Sequence, residues 1–141
     1  MYITNAGRNA IIAHAKKEAP NEACGILAGP PTPRLRRVNE IRKVTKVYRM
    51  TNTDKSSATF FMDSKEQLKV MKEIRNRGLE MVGIYHSHTE TDACPSAHDV
   101  ELAYYPEASY VIVSIRDKNN PSVRSFKIVE GRITEEEVII E

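Results

Sequence analysis

The chain has 141 residues, enough for one domain with a real core spanning residues 1–141 and too few for a second. Charged residues make up 28% of it but nearly cancel, net +2 with histidine neutral, which argues for solubility and against a nucleic-acid footprint. Two cysteines, Cys24 and Cys94, do not make a disulfide framework, and neither Met1-Tyr2-Ile3-Thr4-Asn5 nor any later stretch reads as a signal peptide or membrane span. The expectation is a cytoplasmic protein with reduced thiols and no membrane partner.

Thr4 or Asn5 can cap a first helix running to Pro20, with Ile11, Ile12, Ala15 and Ala19 as its apolar stripe. His14 on this helix is far in sequence from any other candidate ligand and is expected to be a surface or packed residue. Pro20-Asn21 breaks the helix, and Glu22 to Gly29 follows as a short strand on which Cys24 shares a face with Glu22. A carboxylate buried in a strand takes a proton or destabilises the fold unless it has a partner, so Glu22 is expected to have a chemical role. Gly29-Pro30-Pro31-Thr32-Pro33 is a loop, too rich in proline for ladder pairing. From Arg34 to Arg49 basic and apolar residues alternate raggedly, which predicts a hairpin with one wet face. That basic face is either simply solvated or meets an acidic protein partner; nucleic acid is not expected, because no aromatic residue interleaves the charges before Tyr48. Asn52 to Ser57 is a polar loop and Thr59 to Met62 a short strand. Asp63 with Glu66 reads as a capping box for a helix that turns Leu68, Met71 and Ile74 inward and stops at Gly78.

Met81 to Tyr85 is apolar enough for a buried strand, and His86 and His88, two residues apart, leave its end on one face. Two imidazoles aimed at one point form a chelate for a borderline metal such as zinc, although His-x-His also occurs on solvated strands. Ser96 and Asp99 follow after a loop, at the start of a helix predicted to run to Tyr105 and end at Pro106. Asp99 is either a third ligand or the partner of Ser96 in a capping box, and the two roles are compatible. With three ligands, a fourth position stays open for water, the pattern of a catalytic zinc site. His98 points about 100° away from Asp99 around the axis and is left out. Cys94, just before Pro95-Ser96, is either incidental or a thiol that binds metal or oxidises. Ser109 to Ile115 reads as a central strand, Val123 to Val129 pairs back across Asn119-Asn120-Pro121, and Glu130-Gly131 leads into a last strand ending at Ile140. Helices interspersed with strands give an α/β layered domain with a mixed sheet.

His86-Ser87-His88, seven residues, Ser96, two residues and Asp99, with Glu22 upstream, resembles the signature of the JAMM (MPN-plus) metalloprotease family, whose members cleave bonds after the C-terminus of ubiquitin or ubiquitin-like proteins. The resemblance implies a curved mixed sheet flanked by helices, related to cytidine deaminases. It implies one zinc ion (Zn2+) held by His86, His88 and Asp99, Glu22 as the acid and base, and Ser96 as donor to the oxyanion. Tyr85 to Thr91 and Pro95-Ser96 look most like the bacterial Mec-type members. These release an amino acid such as cysteine from a ubiquitin-like sulfur-carrier protein, whose C-terminal Gly-Gly tail would enter as an added strand. Three alternatives stand beside this reading: ferrous iron in an oxygenase, a non-catalytic scaffold, and a general isopeptidase acting on lysine-linked tags.

Overall fold

The computed structural model describes residues 1–33 and 41–141. After a short strand β1 (Tyr2–Ile3), Thr4 takes an extended backbone and its hydroxyl accepts the Gly7 N–H at 3.0 Å, which starts helix α1 (Asn5–Glu18). Ile11, Ile12 and Ala15 are buried along it, as the apolar spacing requires. His14 is buried with them.

Six strands form the main sheet: β2 (Cys24–Gly29), β4 (Lys46–Met50), β5 (Glu80–His88), β6 (Ser109–Ser114), β7 (Ser122–Val129) and β8 (Arg132–Glu136). Their order is β4-β2-β5-β6-β7-β8. β5 and β6 run parallel, joined through helix α3 (Ala97–Glu101), and the other neighbours are antiparallel. A second sheet joins β3 (Lys43–Val44), β1 and β9 (Ile139–Ile140).

Helices cover the main sheet on both faces. Leu27, Val82, Tyr85, Val111 and Val113 pack with Ile11 and Ala15 of α1. Cys24, Ile26 and Ala28 face the other way, against Ile74 of helix α2 (Ser64–Asn76), and farther along the sheet Tyr110, Ile112, Phe126 and Ile128 form a third cluster. Every residue of β2 and β6 is therefore buried, the pattern of strands covered on both sides. Gly25 permits one tight contact in this layer, since a Cβ there would run into the Tyr85 ring and the Tyr48 carbonyl.

The register of β5 carries a consequence for function. It shifts against β2 between Leu27 and Ala28, so that Gly83 pairs with Leu27 while Met81 pairs with Ala28. The extra residue, Val82, is a bulge, and it changes which side later residues face. Val82 and Ile84 consequently pack in different clusters despite their spacing of two. His86 and His88 emerge on the side of Ile84, away from α1.

Several expectations need correction. The strand after Asn21 begins at Cys24, so Glu22 stands two residues before it and not within it. Residues 34–40 of the expected basic hairpin lie outside the described residues; of the remainder, β3 and β4 do not pair with each other but join different sheets. Arg42, expected on a wet face, is buried and pairs with Glu80 at 3.2 Å. Thr59 to Met62 forms only one isolated bridge, Asn52 to Met62. Asp63 does cap α2, accepting from Lys65 and Glu66 N–H, but the Glu66 carboxylate binds the Thr51 N–H and hydroxyl instead of closing the box. α2 buries Ile74 while Leu68 and Met71 are exposed, because the sheet meets only one edge of the helix. Gly78, at φ 69°, does end it: the Gly78 N–H reaches the Arg75 carbonyl and the Leu79 N–H that of Ile74. α3 has only five residues, and its carbonyls close on Leu102 well before Pro106. The expected last strand is two, β8 on the main sheet and β9 beside β1. Among the described residues no helix is long and apolar enough to cross a membrane.

Candidate metal centre

The end of β5 and the start of α3 meet at one point. His86 Nε2 and His88 Nε2 are 3.1 Å apart, and each lies 3.2 Å from a different oxygen of Asp99. Two ligand atoms bound at roughly 2.0–2.1 Å to a tetrahedral ion lie about 3.3 Å apart, so these separations are close to those within one tetrahedral shell. The two imidazoles thus share a side of the strand, as their spacing predicted.

His88 Nδ1 lies 2.8 Å from the Asp92 carbonyl. A carbonyl only accepts, so Nδ1 carries the proton and the Nε2 of the neutral ring presents its lone pair to the centre. That lone pair, the His86 nitrogen and a carboxylate repel one another unless a cation or proton lies among them. The donor set therefore fits a divalent ion. A proton among them serves the same end. Burial works against the charge on His88, but the hydrogen bonds to Asp99 and to the Asp92 carbonyl outweigh it and raise its pKa. Burial likewise opposes the Asp99 anion, yet hydrogen bonds from His86 and His88 hold its carboxyl well below the usual range.

Local structure fixes each candidate ligand. The Cys24 to His86 register and a pair of hydrogen bonds between Ser87 and Ala23, from Ala23 N–H to Ser87 Oγ at 2.8 Å and from Ser87 N–H to the Ala23 carbonyl at 3.0 Å, tie β5 to the segment bearing Glu22. Phe60 stacks on His86, 4.8 Å between centroids and 24° between planes. Asp99 accepts the Ser96 N–H at 2.8 Å while Ser96 Oγ accepts the Asp99 N–H at 3.1 Å, a complete capping box. Cap and ligand geometry coincide: the oxygen held by Ser96 N–H is the one facing His88. The Ser96 hydroxyl proton is left free to donate.

Glu22 is 3% exposed and offers an oxygen within 4.8 Å of a ring nitrogen of both His86 and His88. Its backbone is pinned by its own N–H to the Ser56 carbonyl at 2.8 Å and by Asn52 Nδ2 to its carbonyl at 3.1 Å. Its Oε2 is buried without a hydrogen-bond partner. Burial, reinforced by the Asp99 and Asp54 charges and opposed by His88, pushes its pKa up to about 7. A carboxyl group poised near neutrality beside a cation site can exchange a proton there. An apolar cavity of about 230 Å³, walled by Phe60, Met62, Ile84 and Tyr110, borders His86 and Asp99.

Other singled-out residues stay apart. His14 bonds the Tyr85 hydroxyl at 2.8 Å on the α1 side of the sheet, and His98 is exposed. Cys24 is a buried thiol pushed up to about 12 by desolvation, which leaves it unreactive. Cys94 is exposed, with Arg124 Nη1 3.0 Å from its sulfur. Phe60, Ser87 and the Asp92 carbonyl were not foreseen as supports of the centre. Only Ser87, between the two histidines, carried any sequence signal.

This arrangement defines a α/β domain with a buried His, His, carboxylate centre and an adjacent glutamate. Residues 4–129 match the model of the prokaryotic homologs of the JAB domain, and the chain belongs to that family. It is 44% identical over 130 residues to the CysO-cysteine peptidase of Mycobacterium tuberculosis, covering 92% of this chain and 84% of that protein. It is 32% identical over 121 residues to a probable TtuB-protein conjugate cleaving protease of Thermus thermophilus, covering 85% and 70%. A Desulfitobacterium hafniense protein solved in solution superposes with a TM-score of 0.87 at 38% identity, over 99% of this chain and 92% of that one.

Proposed function

We propose that this chain is a zinc-dependent peptidase that hydrolyses the bond after the C-terminal glycine of a ubiquitin-like sulfur-carrier protein and releases an amino acid such as cysteine. The observation that carries the reading is the convergence of His86, His88 and Asp99 on one point beside a buried, unpartnered Glu22 oxygen. The CysO-cysteine peptidase relative supports the substrate class.

His86, His88 and Asp99 would hold the ion. When bound, zinc supplies Lewis acidity and lowers the pKa of a coordinated water to about 7. Glu22 takes the proton of the attacking water and returns it to the leaving amine, which a carboxyl group near neutrality does well in both directions. The Ser96 hydroxyl donates to the oxyanion as the carbonyl becomes tetrahedral. The carrier's flexible Gly-Gly tail is taken up as an extended segment, its backbone pairing fixing the last carbonyl at the centre.

The test is mass spectrometry of a CysO–cysteine adduct incubated with the metal-loaded protein, the chelated protein and Glu22→Gln. Loss of the cysteine mass only with the loaded wild type is expected, with Glu22→Gln slower by about 10²–10⁴-fold while retaining its metal. Equal adduct stability in all three sinks the proposal. Cleavage of protein conjugates is the second reading, favoured by the Thermus relative, and it differs in the leaving group alone.

A further inference from the structure

Glu22, as proton donor to the leaving amine, must touch that nitrogen, so the amine's substituents lie on Glu22's side of the centre. In an α-amino acid the carboxylate carbon sits only about 2.5 Å from the nitrogen. Its charge therefore arrives in whatever space Glu22 borders.

That space is a cleft of about 380 Å³, lined by Glu22, Glu18, Lys17, Arg49 and Lys55 among others. Neither metal-binding histidine lines it, and Glu22 is the wall it shares with the centre. Lys17, Arg49 and Lys55 have no carboxylate within ion-pair distance among the described residues, whereas the acidic residues on the cleft are Glu18 and Glu22 alone. Three cations thus line the cleft against two carboxylates, a net positive charge even with both acids ionised. Lys55 belongs to the loop whose Ser56 carbonyl and Asn52 amide fix the Glu22 backbone, and it takes φ 46°, an uncommon value for a residue with a side chain. One loop thus both lines the cleft and pins Glu22.

We infer that this cleft binds the α-carboxylate of the departing amino acid, Arg49 offering its planar fork and Lys17 and Lys55 adding positive potential. The inference rests on the peptidase reading above and narrows it. A leaving lysine side chain has only methylenes next to its nitrogen and gives the cleft no anion to hold, whereas a free amino acid satisfies it.

The experiment compares two forms of CysO extended by one cysteine, one ending in the free carboxylate and one in the carboxamide, with wild type, Arg49→Ala and Arg49→Lys. Wild type should favour the free acid by about tenfold or more in kcat/KM, the scale of a charge-assisted hydrogen bond. Arg49→Ala should bring the ratio of the two forms toward one, chiefly through KM, and Arg49→Lys should restore part of it. Equal cleavage of both forms by wild type overturns the inference and leaves the peptidase standing, as does an Arg49→Ala protein that keeps the full preference. Cleavage of neither form by the metal-loaded wild type removes the reading on which it rests. Tm measured for each variant separates lost recognition from lost folding.

Discussion

Asp99→Asn isolates the charge of the proposed third ligand from its shape. The amide keeps an oxygen for the Ser96 N–H, so the capping box and α3 survive, and what disappears is the carboxylate 3.2 Å from both imidazoles. Loss of a mere outer partner of a metal ligand weakens binding by roughly 10–100-fold, so loss of an anionic ligand should cost at least about a hundredfold. At a zinc concentration a hundred times the wild-type Kd, wild type gains about 2.7 kcal/mol and the variant at most about 0.4 kcal/mol. For a chain of this length those gains correspond to shifts in Tm of about 10 °C and about 1–2 °C. Thermal unfolding with and without zinc, together with metal content after dialysis, measures both. An Asp99→Asn protein stabilised by zinc as strongly as wild type would refute the three-ligand centre.

The zinc-induced rise in Tm should grow between pH 6 and 8. His88 has a raised folded pKa, so its contribution to metal-free stability is complete below about 6.5 and fades as pH rises through that higher value, while the neutral ring that zinc needs becomes available. Asp99, depressed in the folded state, contributes stability above its ordinary pKa of 3.8, which is lost only as pH falls below it. Ser96→Ala should destabilise by about 1 kcal/mol through its lost cap. The same variant should slow adduct cleavage by about 10²–10³-fold, with zinc stoichiometry unchanged; a rate equal to wild type would remove the oxyanion role. Gly25→Ala should cost about 1–3 kcal/mol or more in urea unfolding, because its methyl group meets the Tyr85 ring and a strand carbonyl. An unchanged midpoint would show that β2 can shift there.

Much of the site was legible because its signals are local. A spacing of two on a strand puts His86 and His88 on one side whatever lies around them, and Ser96-x-x-Asp99 closes on itself within one turn. Expectations failed where a neighbour decided the outcome. Leu68 and Met71 satisfy a helical stripe, yet the sheet reaches only Ile74. Arg42 reads as a surface cation until Glu80 gives it a buried partner. The apolar run around Ile139–Ile140 looks like the continuation of β8, but Met1 and Ile3 offer it backbone partners elsewhere.

By itself the sequence determined which chemical groups are available and which short-range pairs they form, since backbone periodicity and capping act within a few residues. Only the tertiary structure decided which side of the sheet the histidines take, through the bulge at Val82, and that Glu22 stands within 4.8 Å of them across 64 residues of chain. It alone drew Lys17, Arg49 and Lys55 around one cleft. Strand register and the packing of loops on the sheet set these distances, and both depend on contacts between residues far apart in the chain, which no local pattern encodes.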